Sequence, residues 1–232
     1  MKRKFILLII FAFSAISLSL PASAGWEPGP CPQPSGPAPC IESNTASDGV
    51  WHFNGSGGHA DEWHGAPSGG DIIFSGNANL ACSGLNIECD LALIGQIKKC
   101  QNLNGDWHVG IRATSFNLSG GLICGTISLS GFPWYSKDSS ITPHCPFEDV
   151  CEDFNTYIPG ASSYTFNIGS IDIGVLGIPR VTDGHLHGVL FSNPGILSFN
   201  SGFFDCSENS LNCDVVGEAY YNGSSSDTLS IY

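Results

Sequence analysis

The sequence predicts an all-β protein: a single antiparallel β-sandwich or short barrel, stapled by disulfides and preceded by a Pro/Gly-rich segment. Three observations predict it. From Asp71 onward, short apolar runs alternate with Gly, Asn and Ser turns roughly every ten to fifteen residues. No stretch sustains the 3.6-residue apolar period of a helix. Ten cysteines, an even number, all lie after the first 24 residues and read as a disulfide framework.

Residues 1–24 read as a cleavable export signal. Lys2, Arg3 and Lys4 precede the apolar stretch Phe5 to Leu20, and Ala22-Ser23-Ala24 supplies a small-residue cleavage site. Residues 25–70 form a Pro/Gly/Ser-rich segment, in which runs such as Pro32-Gln33-Pro34-Ser35-Gly36-Pro37 sustain neither helix nor ladder. Its one strand-competent patch is Val50-Trp51-His52-Phe53. That patch can pair with its own domain and cover an edge, or add as a strand to a neighbouring copy and so drive self-assembly. Residues 71–232 make the β-domain.

Its clearest strand is Ile87 to Ile97. Ile87, Cys89, Leu91, Leu93 and Ile97 share one phase while Glu88, Asp90 and Gln96 share the other, the alternation of a half-buried strand. Trp107, Val109, Ile111 and Ala113 alternate in the same way with His108, Arg112 and Thr114, which places Trp107 in the core. Ile123, Ile127 and Leu129 carry a further strand through Cys124. Tyr164, Phe166 and Ile168 run in one phase and Ile171, Ile173 and Val175 in the other, so a bulge or turn is expected near Gly169. Later strands read over Leu186 to Phe191, Ile196 to Phe203 and Val215 to Tyr221.

Charge narrows the partners. Three of the eight Lys and Arg fall in the signal and none of the 21 acids does. So few remaining cations cannot neutralise a run of phosphates, which argues against nucleic acid and anionic lipid. No second apolar run approaches the ~18–20 residues of a membrane helix. An outer-membrane barrel is also set aside, because Thr228 and Ser230 share the phase of Tyr232 where lipid-facing residues would be needed. A secreted or cell-surface location is expected, since disulfides persist in oxidising compartments.

The cysteines are Cys31, Cys40, Cys82, Cys89, Cys100, Cys124, Cys145, Cys151, Cys206 and Cys213. No two are close enough for a C-x2-4-C zinc pair. Proximity alone pairs Cys31 with Cys40, Cys145 with Cys151 and Cys206 with Cys213. It leaves Cys82, Cys89, Cys100 and Cys124 open among three connectivities.

Candidate chemistry is sparse. His185-Leu186-His187 sets two imidazoles on one strand face, a genuine ligand spacing, with Asp183 close by. A third ligand and a water-activating base would have to come from elsewhere, so these read as exposed histidines, and no metal or cofactor is expected. His52, His59 and His64, with Asp61 and Glu62, offer further ligands in a glycine-rich loop that reads as solvated. The acidic run Glu148 to Asp153 lacks EF-hand spacing and reads as a disulfide-pinned surface loop. There is no Gly-x-Ser-x-Gly elbow, no phosphate-cradling glycine loop and no cysteine expected to be free, so an enzyme is not expected. Aromatic side chains remain: Trp134 and Tyr135 at a strand end after Pro133, and Trp51, are candidate platforms for sugar rings or alkyl chains.

The centre of the domain carries a resemblance. Cys89-Asp90-Leu91-Ala92-Leu93-Ile94-Gly95, then Ser115-Phe116, then Cys124-Gly125-Thr126-Ile127, closing on Gly131-Phe132-Pro133-Trp134, resembles the Pra-type alkane-oxidation activators of bacteria. The resemblance implies an exported, non-enzymatic protein that aids use of, or adhesion to, hydrophobic substrates and biofilm material. It implies that Cys89 pairs with Cys124, leaving Cys82 for Cys100. The Pro-rich leader, the extra cysteines and the acidic loop Pro143 to Tyr157 depart from the family pattern. The partner expected is therefore a hydrophobic substrate or a surface polymer. A carbohydrate-binding or adhesive module is the second reading, and a metal-dependent secreted hydrolase built on His185 and His187 the third.

Overall fold

A computed structural model describes residues 25–33, 36–54 and 59–232; the expected export signal lies outside the described residues. In chain order the strands are β1 (Glu27–Pro28), β2 (Cys40–Thr45), β3 (Gly49–Asn54), β4 (Trp63–His64), β5 (Ile72–Cys82), β6 (Leu85–Gln101) and β7 (Trp107–Ser119). There follow β8 (Ile127–Ser130), β9 (Trp134–Asp138), β10 (Asn155–Thr156), β11 (Ser163–Val175), β12 (Ile178–Ser192), β13 (Ile196–Phe204), β14 (Ser210–Tyr221) and β15 (Thr228–Ile231). Among the described residues the only helical pieces are two three-residue 3-10 turns, Cys124–Thr126 and Cys151–Asp153. The first replaces the start of the strand expected from Ile123; its tight turn brings Cys124 to the disulfide with Cys89, and pairing begins at Ile127.

The fold is all-β, and the main sheet closes. Strands β5, β6, β7, β9, β11, β12, β13 and β14 pair antiparallel in that order, and β14 returns to β5. This is an eight-stranded barrel, so the expected β-sandwich resolves into its barrel alternative. The reason is that the β6–β7 pairing joins the two ends of the path from β7 round to β6, so each of the eight strands has a neighbour on both sides and no edge remains among them.

Alternation decides what fills it. Ile87, Cys89, Leu91, Leu93 and Ile97 point into the lumen, as do Phe166, Ile168, Ile171 and Ile173 across it. Each fully buried aliphatic or aromatic side chain contributes about 1.5–3 kcal/mol. Glu88, Asp90, Asn77 and Asn117 lie exposed on the outside. The phase switch in β11 is the register shift between Gly169 and Ile171, where Ser170, at φ +66°, is the extra residue.

The N-terminal segment is built into this body. β1, β3, β2 and β15 form a second sheet in that order, so the last strand of the chain pairs with one of the first. Trp26, Ile41, Phe53, Leu229 and Ile231 join the barrel's core at the end where the β12–β13 turn lies. The Val50-to-Phe53 patch has β2 on one side and β1 on the other. Of its two expected uses the structure therefore shows the intramolecular one, because the hydrogen-bonding groups that would accept a neighbour's strand are taken.

Five disulfides cross-link the fold. Cys31–Cys40 and Cys89–Cys124 are present as expected. Three expected pairs are replaced. Cys82 bonds Cys213, not Cys100, because β5 and β14 place those two residues directly opposite one another. Cys100 bonds Cys151, and Cys145 bonds Cys206, so neither Cys145–Cys151 nor Cys206–Cys213 forms. Short sequence separation was a poor guide, because the barrel brings residues far apart in the chain to adjacent strands and loops.

Candidate functional site

Two places in the molecule combine shape with chemistry. The first is the lumen, which holds a cavity of about 120 Å³ to which only apolar atoms are exposed. Phe74, Leu93, Trp134, Phe166, Leu186 and Phe199 are among the side chains around it, each delivered by a different strand. Trp134 is buried, its ring stacked 4.1 Å from that of Phe132 and its indole N–H donated to the Ser130 carbonyl at 2.9 Å. Its expected role as an exposed platform is corrected, because the in-phase position of β9 turns the indole inward.

The other expected platforms are also engaged. Tyr135 is half-buried with its ring 5.9 Å from Trp63, whose face the Arg112 guanidinium covers at 4.6 Å. Trp51 is half-buried and donates its indole N–H to the Asp48 carbonyl at 2.7 Å. At the barrel end opposite the small sheet, Leu122, Ile123, Leu176 and Ile178 are exposed. The Leu176 amide donates to the Thr126 carbonyl, which joins the two loops that carry these residues.

The second place is on the outer wall. His185 and His187 share a face of β12, and their Nε2 atoms lie 2.7 Å apart. Glu208, on the β13–β14 loop, brings its carboxylate to 3.5 Å from His185 Nε2 and 3.1 Å from His187 Nε2. His144, on the loop after β9, sets its Nε2 4.0 Å from Glu208. The expected third member, Asp183, is replaced by Glu208 and His144. Two residues away from His185 along a bulged strand, Asp183 sits at φ +48° with its amide bonded to Asp172.

The expectation of exposed histidines is corrected for His185, which is fully buried beneath the loop over residues 139–154. That loop lies flat because Phe147 covers Gly169, where any Cβ would collide with the ring. Burial lowers the pKa of both His185 and His187 against the opposing pull of Glu208. Cys145–Cys206 joins the residue after His144 to the turn that carries Glu208. Nothing local in the sequence announced this; the signal was the H-x-H spacing, and its partners stand 41 residues before His185 and 21 after His187.

The remaining sequence candidates separate. His59 pairs with Glu62 and meets His64 edge-on, their rings 5.9 Å apart, with His64 Nε2 3.3 Å from the His59 carbonyl, while His52 stands apart on the Gly29 carbonyl, so the three do not form one cluster. In the acidic run, Asp149 pairs with Lys98 at 2.9 Å and Asp153 with Lys137 at 3.2 Å, while Cys151 is held by Cys100. The run is thus a clasp on the barrel wall. Among the described residues no helix is long and apolar enough to cross a membrane. Set against known protein families, curated proteins and solved structures, the chain finds no match in any of the three.

Proposed function

We propose that the protein is an exported, non-enzymatic binder of small apolar groups, which aids use of, or adhesion to, hydrophobic material. The observation that carries this is the lumen cavity of about 120 Å³ with only apolar atoms exposed to it. A dry apolar cavity of about 150 Å³ is enough to admit benzene or xenon, so the occupant would be a ring or a short alkyl segment. Such a site stabilises its ligand by removing apolar area from water, without any polar group to fix orientation. The exposed Leu122, Ile123, Leu176 and Ile178 give that barrel end an apolar patch suited to meeting a droplet or an alkyl-rich surface. Five disulfides and the signal-like start support an extracellular setting. The resemblance to alkane-oxidation activators points the same way.

The test is binding of benzene and short n-alkanes followed by NMR shifts of lumen methyl groups, in the native protein and in Ala113→Leu. Ala113 is buried and lines the cavity, so a larger side chain there removes the space. Saturable shifts confined to lumen methyls and abolished by the substitution are expected. Equal shifts in the variant, or none in the native protein, would overturn the reading.

A groove on the outer face favours the carbohydrate-binding alternative. Asn77, Asn79, Asn200, Glu218 and Tyr220 line an open depression of about 630 Å³, and Glu218 accepts the Tyr220 hydroxyl at 3.0 Å. Retention on insoluble polysaccharide, lost in Tyr220→Ala, would support that reading.

A further inference from the structure

We propose that His185, His187 and Glu208 bind one divalent transition-metal ion of the zinc class, with His144 steering the carboxylate from outside. Two imidazoles and one carboxylate are ligands for zinc, copper or nickel, whereas calcium and magnesium demand an all-oxygen shell. Ligand atoms around a tetrahedral ion at about 2.0–2.1 Å lie roughly 3.3 Å apart. The Nε2-to-carboxylate distances of 3.1 and 3.5 Å already match that spacing. The 2.7 Å between the two Nε2 atoms is the separation of a hydrogen bond, and a small rotation of the partly exposed His187 opens it.

The nitrogens face the right way. His185 Nδ1 lies 4.0 Å from the Cys145 sulfur, which leaves Nε2 as the atom turned into the cluster. His144 is different. The Asn167 side-chain oxygen accepts the Gly188 amide at 3.0 Å, so the Asn167 NH2 group faces His144 Nδ1 at 2.9 Å and donates to it. That bond keeps the His144 proton on Nε2, which faces Glu208 from 4.0 Å, and a protonated ring nitrogen offers no lone pair, so His144 is placed as an outer neighbour of the carboxylate rather than a ligand. Three protein ligands leave a fourth position for water.

The site is also organised in advance, which lowers the entropy cost of binding. His185 and His187 sit on a barrel strand, and Cys145–Cys206 ties the His144 and Glu208 loops together. Asp205 accepts the amides of Ser207 and Asn209 at 2.8 and 2.9 Å and so shapes the turn on either side of Glu208.

The experiment is native mass spectrometry and calorimetric titration of ZnCl2 into the untagged, oxidised protein, with Glu208→Gln, His187→Gln and His144→Phe beside it. Far-UV circular dichroism and intact mass check the fold and the five disulfides of each. One zinc per chain is expected, with a rise in melting temperature. Glu208→Gln and His187→Gln should each weaken binding more than about 100-fold, and His144→Phe by about tenfold, the loss typical of an outer-sphere partner. Failure of the native protein to retain zinc would overturn the proposal. So would undiminished binding in both ligand variants, which would place the ion elsewhere on the molecule. A loss in His144→Phe as large as in the ligand variants would overturn the placement of His144 outside the ligand set. The lumen reading is independent of all these outcomes.

Discussion

The Lys99 ammonium lies 4.6 Å from the centroid of the Phe53 ring, sealed between the barrel and the small sheet, with the Pro39 carbonyl at 3.4 Å as its acceptor. Lys99 is fully buried, and that burial pulls its pKa down from 10.5 to about 7. The residue stands where β6 leaves the lumen and passes under the N-terminal segment, so both faces of the strand are covered there.

A pH dependence follows from this pair. Between about pH 7 and pH 10 the unfolded chain holds a proton on Lys99 that the folded chain has released, so stability rises with pH across that window. The slope is at most about 1.4 kcal/mol per pH unit. Below pH 7 both states are protonated and the full burial penalty remains. Tyr164, pushed up to about 12 by burial, acts with the opposite sign above pH 10. Urea unfolding of native protein and Lys99→Met from pH 6 to 9.5 measures it. The variant should be more stable at pH 6 and lack the rise, and parallel curves would count against the burial argument.

Trp134 separates a lumen residue from a surface platform. Because it is buried in the barrel wall, Trp134→Ala should cost about 3–5 kcal/mol of stability and enlarge the cavity. Larger apolar ligands should then compete with benzene. Loss of binding to a polymer with an unchanged unfolding curve would instead fit an exposed indole.

The disulfide map is checkable without any variant. Proteolysis under non-reducing conditions should release peptides joined through Cys82–Cys213, Cys100–Cys151 and Cys145–Cys206. In the chain-entropy picture the bridge across 131 residues contributes about 5 kcal/mol and the one across nine residues about 2.6 kcal/mol. Removing Cys82 and Cys213 together should therefore lower the denaturation midpoint more than removing Cys31 and Cys40.

Deleting the last five residues removes β15, which pairs with β2 and supplies Leu229 and Ile231 to the core. Residues 25–54 should then become sensitive to protease while the barrel strands stay protected from hydrogen exchange. Full protection of both regions would mean that the small sheet stands without its last strand.

The sequence by itself determined what a period of two can encode. It specified the all-β class, the inward face of β6 and β7, the phase switch near Gly169 and the intracellularly improbable count of ten cysteines. Those are local properties, written in which side of a strand each residue must face. Closure of the barrel was decided only in three dimensions, because strand alternation is the same in a sandwich and in a ring; the β6–β7 pairing, which joins the two ends of the strand path, distinguishes them. The disulfides followed that topology: Cys82 meets Cys213 because β5 lies beside β14, against every expectation from distance along the chain. The histidine cluster has the same origin. His185 and His187 were legible as a pair because two residues fall on one face of a strand, but Glu208 and His144 reach them from loops that only the folded barrel and Cys145–Cys206 bring together.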